Sequence, residues 1–155
     1  MSSSGAPALE FDVNDVSIAI VAASWHQEIM DGLIAGAQRV LSDSGVEFEI
    51  FRVPGSFELP LAAQAVAEDE FDGVVALGVV IRGDTPHFDY VCKAATDGLM
   101  RVSLDTGVPI GFGLLTCDNE DQAKQRAGLA GSTEDKGAEA ASAVLAMLNL
   151  LNDME

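Results

Sequence analysis

Gly73–Tyr90 reads GVVALGVVIRGDTPHFDY, and the architecture of the whole chain follows from it. It opens with Val74-Val75-Ala76-Leu77-Gly78-Val79-Val80-Ile81, an apolar and largely β-branched run. A run that is apolar on both faces belongs in the middle of a parallel sheet. It ends in Arg82-Gly83-Asp84, and Thr85-Pro86 then opens a helix. The threonine hydroxyl is suited to the N-cap and the proline to the first helical position. One strand therefore delivers a tight turn, an arginine, a helix N-terminus and His87 at its carboxyl end. Open α/β sheets bind ligands there. A helix N-terminus attracts phosphate, and histidine exchanges protons near neutral pH. The stretch fits a small phosphorylated substrate and a proton transfer. Taken alone, it reads equally as a plain strand–turn–helix with His87 on the surface.

Working outward, Val16–Ala23 is a first buried strand, broken at Ser24-Trp25-His26-Gln27. A helix to about Ser44 follows, with Ile29, Leu33, Ala37, Val40 and Leu41 at helical spacing and Gly45 closing it. Val46–Val53 alternates and forms strand two. Pro54-Gly55-Ser56 turns the chain into a helix over Phe57–Ala67. After the opening stretch, a helix over His87–Asp105 ends at Thr106-Gly107. Val108–Leu115 is strand four, and Asn119–Arg126 is a short helix. Ala127–Asp135 is a loop with Ser132 or Thr133 as the cap of the last helix, Gly137–Leu151. Strands alternating with helices at these lengths predict βαβ units and a parallel sheet. The expected fold is α/β, a flavodoxin-like three-layer α/β/α sandwich with four parallel strands in the order 2-1-3-4. Residues 1–12 read as a mobile arm, and residues 13–155 as a single domain.

Composition narrows the function. With 48% hydrophobic and 21% charged residues in 155, the chain is globular rather than disordered. A formal net charge of −17 opposes binding to nucleic acid or an anionic membrane. No apolar run approaches the roughly 18 residues of a membrane span. Cys92 and Cys117 form no CxxC pair, which fits free thiols in a reducing, cytoplasmic setting. His26 and His87 show no metal-ligand spacing, so no metal is expected.

The unusual residues collect at the carboxyl ends of the strands. Strand one supplies Trp25, whose ring can stack on a flat heterocycle. Strand two supplies Ser56, Phe57 and Glu58, the last able to accept hydrogen bonds from a polyol. Strand three supplies Val79, Val80, Ile81, Asp84, Thr85 and His87. Strand four places Phe112 near its end. Each of these residues alone has a plain structural reading; together they describe an aromatic surface, an acidic acceptor, a phosphate cradle and a proton carrier.

Three motifs then match one family. They are Val53-Pro54-Gly55-Ser56-Phe57-Glu58-Leu59-Pro60, Ala76–Val91 (ALGVVIRGDTPHFDYV), and Arg126-Ala127-Gly128 followed by Lys136-Gly137. In this order they resemble 6,7-dimethyl-8-ribityllumazine synthase, the penultimate enzyme of riboflavin biosynthesis. The resemblance implies condensation of 5-amino-6-(D-ribitylamino)uracil with 3,4-dihydroxy-2-butanone 4-phosphate, releasing phosphate and two waters, with no cofactor. It implies that Trp25 stacks on the pyrimidine, and that Ser56, Phe57 and Glu58 hold the ring and ribityl chain. It implies that the backbone of Val79, Val80 and Ile81 reads the pyrimidine edge. Asp84 and Thr85 match the phosphate turn, His87 the proton-transfer residue and Phe112 a residue reached from a neighbouring subunit. Arg126 matches the phosphate-binding arginine, and Lys136 a nearby basic residue. Many members have Phe-Asn at the first turn where this chain has Trp25-His26, and a small or neutral residue at Asp84. The seven residues Leu129–Asp135 make a longer loop than in members that build 60-subunit shells, which favours a homo-oligomer of five. The rival reading is a non-catalytic lumazine or flavin binder of the same fold.

Overall fold

A computed structural model describes residues 4–155. Four strands, β1 (Ser17–Ala23), β2 (Glu47–Val53), β3 (Gly73–Ile81) and β4 (Ile110–Cys117), form one sheet in the order β2-β1-β3-β4. Every neighbouring pair is parallel. Five α-helices connect and cover them: α1 (Gln27–Asp43), α2 (Leu59–Ala67), α3 (His87–Thr106), α4 (Glu120–Arg126) and α5 (Lys136–Asp153). The expected order 2-1-3-4 is therefore the observed one.

The two-residue period of the central strands divides the core into two layers. Ile18, Ile20 and Ala22 of β1 join Val75, Leu77 and Val79 of β3 beneath α1 and α5. Ala19 and Val21, with Val74 and Ala76, face α2 and α3 on the other side. Both faces are covered, which is why β1 and β3 read as unbroken apolar runs. Helices α1 and α5 meet at their backbones: a Cβ on Gly137 would collide with the carbonyl of Leu33.

Several boundaries differ from the sequence expectation. Strand four runs over Ile110–Cys117, not Val108–Leu115. Pro109 stays outside the strand, while its carbonyl accepts from the Val74 amide. Phe112 is consequently the third residue of an eight-residue strand, paired in register with Ala76. It lies well short of the carboxyl end, where Ile81 pairs with Cys117. The second helix starts later than Phe57: Ser56–Glu58 is a 3-10 turn leading into α2, with Pro60 in its first turn. At α3 the cap is Pro86, and Thr85 stands one residue outside it. The Thr85 hydroxyl still accepts the His87 amide, at 3.4 Å.

At α5 the cap is neither Ser132 nor Thr133. Asp135 caps it, accepting from the Ala138 amide. Ser132 is engaged elsewhere, donating to the Lys124 carbonyl at 2.5 Å and accepting from the Leu129 amide. Residues 6–12 form no helix or strand. Phe11 packs on the α1/α5 side of the core, and the Asp12 amide donates to Asn149 of α5. Met1–Ser3, at the start of the proposed arm, lie outside the described residues.

Candidate active site

The carboxyl ends of β1 and β2 are locked together. Ser24 Oγ donates to the Val53 carbonyl at 2.7 Å, and its amide donates to the Pro54 carbonyl. Arg52, on β2, donates through Nη2 to the Ala23 carbonyl at 2.9 Å. This arginine serves the loop that carries Trp25. His26 then adopts the left-handed conformation, φ 59°, and turns the chain into α1. Histidine is among the non-glycine residues enriched there. Trp25 is left 68% exposed.

Trp25 and Glu58 come together over Gly55. A Cβ on Gly55 would stand 3.3 Å from Glu58 Oε2 and 3.4 Å from Trp25 Nε1. An indole and a carboxylate thus flank the same glycine. Phe57 beside them is also open, 64% exposed. Ser56 points the other way and is buried against β3.

The end of β3 forms the next part of the rim. Val79 is buried, Val80 and Ile81 are half-buried, and Asp84, Thr85 and His87 are exposed. Arg82 latches this turn to the end of β4 and the start of α3. Its amide donates to the Cys117 carbonyl, and its Nε pairs with Asp118 at 3.0 Å. Nη1 lies 3.6 Å from Asp89, and the guanidinium sits 4.4 Å above the centre of the Phe88 ring. The Asp118 hydrogen bond, aided by Asp89, raises the arginine's pKa. Burial raises the pKa of the neighbouring thiols Cys92 and Cys117.

Arg126 and Lys136 form a separate cationic group after β4. Arg126 Nη1 donates to the Gln122 carbonyl of its own helix at 2.8 Å, and Nε lies 3.5 Å from Glu134. Lys136 Nζ lies 3.1 Å from Glu134 and 2.9 Å from Glu139. Burial is the largest single influence on the Lys136 ammonium and opposes its charge. The Glu139 and Glu134 carboxylates outweigh it and raise the pKa. The guanidinium of Arg126 also lowers the Cys117 pKa against the effect of burial, and β4 ends at that cysteine.

The expected site residues therefore fall into three places. Trp25, Phe57, Glu58, Val80, Ile81, Asp84, Thr85 and His87 stand along one rim at the carboxyl ends of β1, β2 and β3, with Ser56 and Val79 buried behind it. Arg126 and Lys136 form the cationic group beyond β4. Phe112 stands apart, 51% exposed on the edge strand, so within one chain it does not reach the rim. Glu134 was missed by sequence reasoning, which took Ala127–Asp135 for a plain loop. Its signal was an acidic pair immediately before Lys136. Among the described residues, no group of three or more His, Cys, Asp or Glu side chains could hold a metal ion. No helix among them is long and apolar enough to cross a membrane.

The chain is similar to known proteins along almost its whole length. Residues 15–152 match the family described as 6,7-dimethyl-8-ribityllumazine synthase. A protein of that name from Nocardioides sp. is 59% identical, over 99% of this chain and 97% of its own length. One from Kineococcus radiotolerans is 63% identical over 94% of this chain and 91% of its own. One from Leifsonia xyli subsp. xyli is 61% identical over 94% of each. Matches of this length span the rim, the cationic group and the strands that carry both, and the chain belongs to the 6,7-dimethyl-8-ribityllumazine synthase family.

Proposed function

We propose that this chain condenses 5-amino-6-(D-ribitylamino)uracil with 3,4-dihydroxy-2-butanone 4-phosphate to 6,7-dimethyl-8-ribityllumazine, releasing phosphate and two waters. This is the penultimate step of riboflavin biosynthesis. The observation that carries the reading is the meeting of Trp25 and Glu58 over Gly55, on the same rim as Thr85 and His87. Family membership supplies the reaction, and the exposed Trp25 and Glu58 support the rim as its place.

In this reading Trp25 stacks on the pyrimidine and Glu58 accepts from the ribityl hydroxyls. Phe57 completes that wall, the buried Ser56 fixes the turn that carries it, and the backbone of Val79, Val80 and Ile81 reads the ring edge. Asp84, Thr85 and the start of α3 take the phosphate end of the ketone. His87 moves protons while the amine attacks the ketone and forms the imine, and again as phosphate leaves. Arg126 and Lys136 bind and stabilise the departing phosphate. Both substrates are already reactive, so holding them face to face supplies much of the acceleration.

The assembly we propose is a ring of five acting in the cytoplasm, rather than a 60-subunit shell. Phe112 would enter a neighbour's site, and Arg126 and Lys136 would face the rim across the same boundary. Exposed Leu61, Met100 and Leu104 support an apolar contact between subunits. Two free thiols support a reducing compartment. Mixing the purified protein with both substrates and following the absorbance of the lumazine product tests the function. Rates no faster than the spontaneous condensation would leave the protein a binder rather than an enzyme.

A further inference from the structure

Glu134 is the least exposed member of the cationic group, with a side chain only 6% accessible. Its position is built by the surrounding backbone. The amides of Thr133 and Glu134 both donate to the Gln125 carbonyl, and the Glu134 carbonyl accepts from Gly128, each at 3.0 Å. The carboxylate thereby sits between Arg126 Nε at 3.5 Å and Lys136 Nζ at 3.1 Å. Glu139 reaches the same ammonium. Two cations are thus balanced by two carboxylates before any phosphate arrives.

A site that only had to hold phosphate would gain nothing from a buried carboxylate shared by both cations and a second, half-exposed one on the ammonium. A site that must also let inorganic phosphate go benefits from one, because like charges in a partly buried setting repel over several ångströms. The geometry points to Glu134 as a positioning residue that sets the charge of the Arg126–Lys136 pair and so weakens the grip on released phosphate. This rests on the reading that those two cations bind the phosphate. The carboxylate acts through these two side chains. It orients the guanidinium through Nε and the ammonium through Nζ, and subtracts from their combined field.

Calorimetric titration of inorganic phosphate into the assembled protein tests this. Glu134→Gln keeps the shape and a hydrogen-bond acceptor while removing the charge. Phosphate should bind about fivefold tighter. KM for the phosphorylated ketone should fall in step, and KM for the pyrimidine should not move. Glu134→Asp withdraws the carboxylate by one methylene and should give a smaller tightening, about twofold. If Glu134→Gln fails to fold, the Glu134→Asp result decides alone. Unchanged or weaker phosphate binding in the folded variants overturns the proposal. Arg126→Ala, measured alongside, separates the two layers of the argument. Weakened phosphate binding there with no effect of Glu134→Gln removes only the role of Glu134. Wild-type binding in Arg126→Ala removes the phosphate reading of the whole group.

Discussion

The Ser56 hydroxyl is packed directly against Gly78: a Cβ added at Gly78 would stand 2.6 Å from Ser56 Oγ. The same Cβ would lie 3.1 Å from side-chain carbons of Leu114 and Leu59. The middle of β3 and the turn after β2 therefore share one small volume. Gly78→Ala should push the Ser56–Glu58 turn outward and cost about 1–3 kcal/mol of stability, as overpacked cores do. Because that turn carries Phe57 and Glu58, KM for the ribitylaminouracil should rise while KM for the phosphorylated ketone stays close to wild type. Chemical denaturation and steady-state kinetics check the two parts.

Trp25 has little to do for the fold, since most of its surface is open. Trp25→Ala should leave the melting temperature within a few degrees of wild type. Binding of the pyrimidine should weaken by about 1–3 kcal/mol, the scale of aromatic–base stacking. Equal losses for both substrates would show instead that the Ser24–His26 loop had collapsed.

Arg126 and His87 should fail in different ways. Arg126→Ala removes a charge-assisted contact to the phosphate, so KM for the ketone should rise and kcat fall, together about 1.5–3 kcal/mol. Lysine should restore only part of this, because it offers a point charge without the planar fork. His87→Ala should lower kcat about tenfold to a hundredfold with little change in either KM, because alignment alone still drives an easy condensation.

Alkaline pH should destabilise the folded chain. Burial holds the Cys117 and Cys92 thiols above the ordinary value of 9.0, so the folded state keeps protons that the unfolded chain gives up. The Lys136 ammonium, raised above 10.5 by its glutamates, adds stability that is complete below that pH and is lost as pH climbs through the folded value. Both effects have the same sign. Denaturant midpoints measured upward from neutrality should stay level to about pH 9 and then decline. Cys117, being the more buried, should react with iodoacetamide more slowly than Cys92.

Assembly is checked most directly by light scattering. The proposed site needs Phe112 of one subunit near the rim of another, so activity should travel with a five-subunit species. Phe112→Asp, placed on an exposed edge strand, should shift the protein toward smaller species and lower the rate together. A fully active monomer would contradict a shared site.

The order of strands was legible because β1 and β3 are buried on both faces, and little but parallel sheet interiors demands such runs. The placement of Trp25, Glu58 and His87 after the ends of β1, β2 and β3 was legible because each apolar run stops at a turn a few residues before them. Boundaries set by side chains were harder to read. Asp135 caps α5 because Ser132, an equally good cap by residue type, is held by Lys124 and Leu129. The shift of β4 by two residues moved Phe112 from near the end of the strand to its third residue, and nothing local to VPIGFGLL shows where pairing with β3 starts. Glu134 was hidden because its partners Arg126 and Lys136 are assembled by a loop closing on Gln125, a long-range event without a periodic signature.

The place of α5 in the core bears on how the chain is made. Its Ala141, Val144, Leu145 and Leu148 cover the face of the sheet that also carries Ile18, Ile20 and Val75. Gly73 of β3 fits directly against Val144 and Leu148. A growing polypeptide can pair all four strands before these residues emerge from the ribosome, yet that sheet would keep one greasy face half uncovered. Parallel pairings are slow to form because each must close a long loop. The nascent chain should therefore lean on chaperones until its final helix is free. A premature stop near Lys136 should yield aggregates or proteolytic fragments rather than a weakened enzyme.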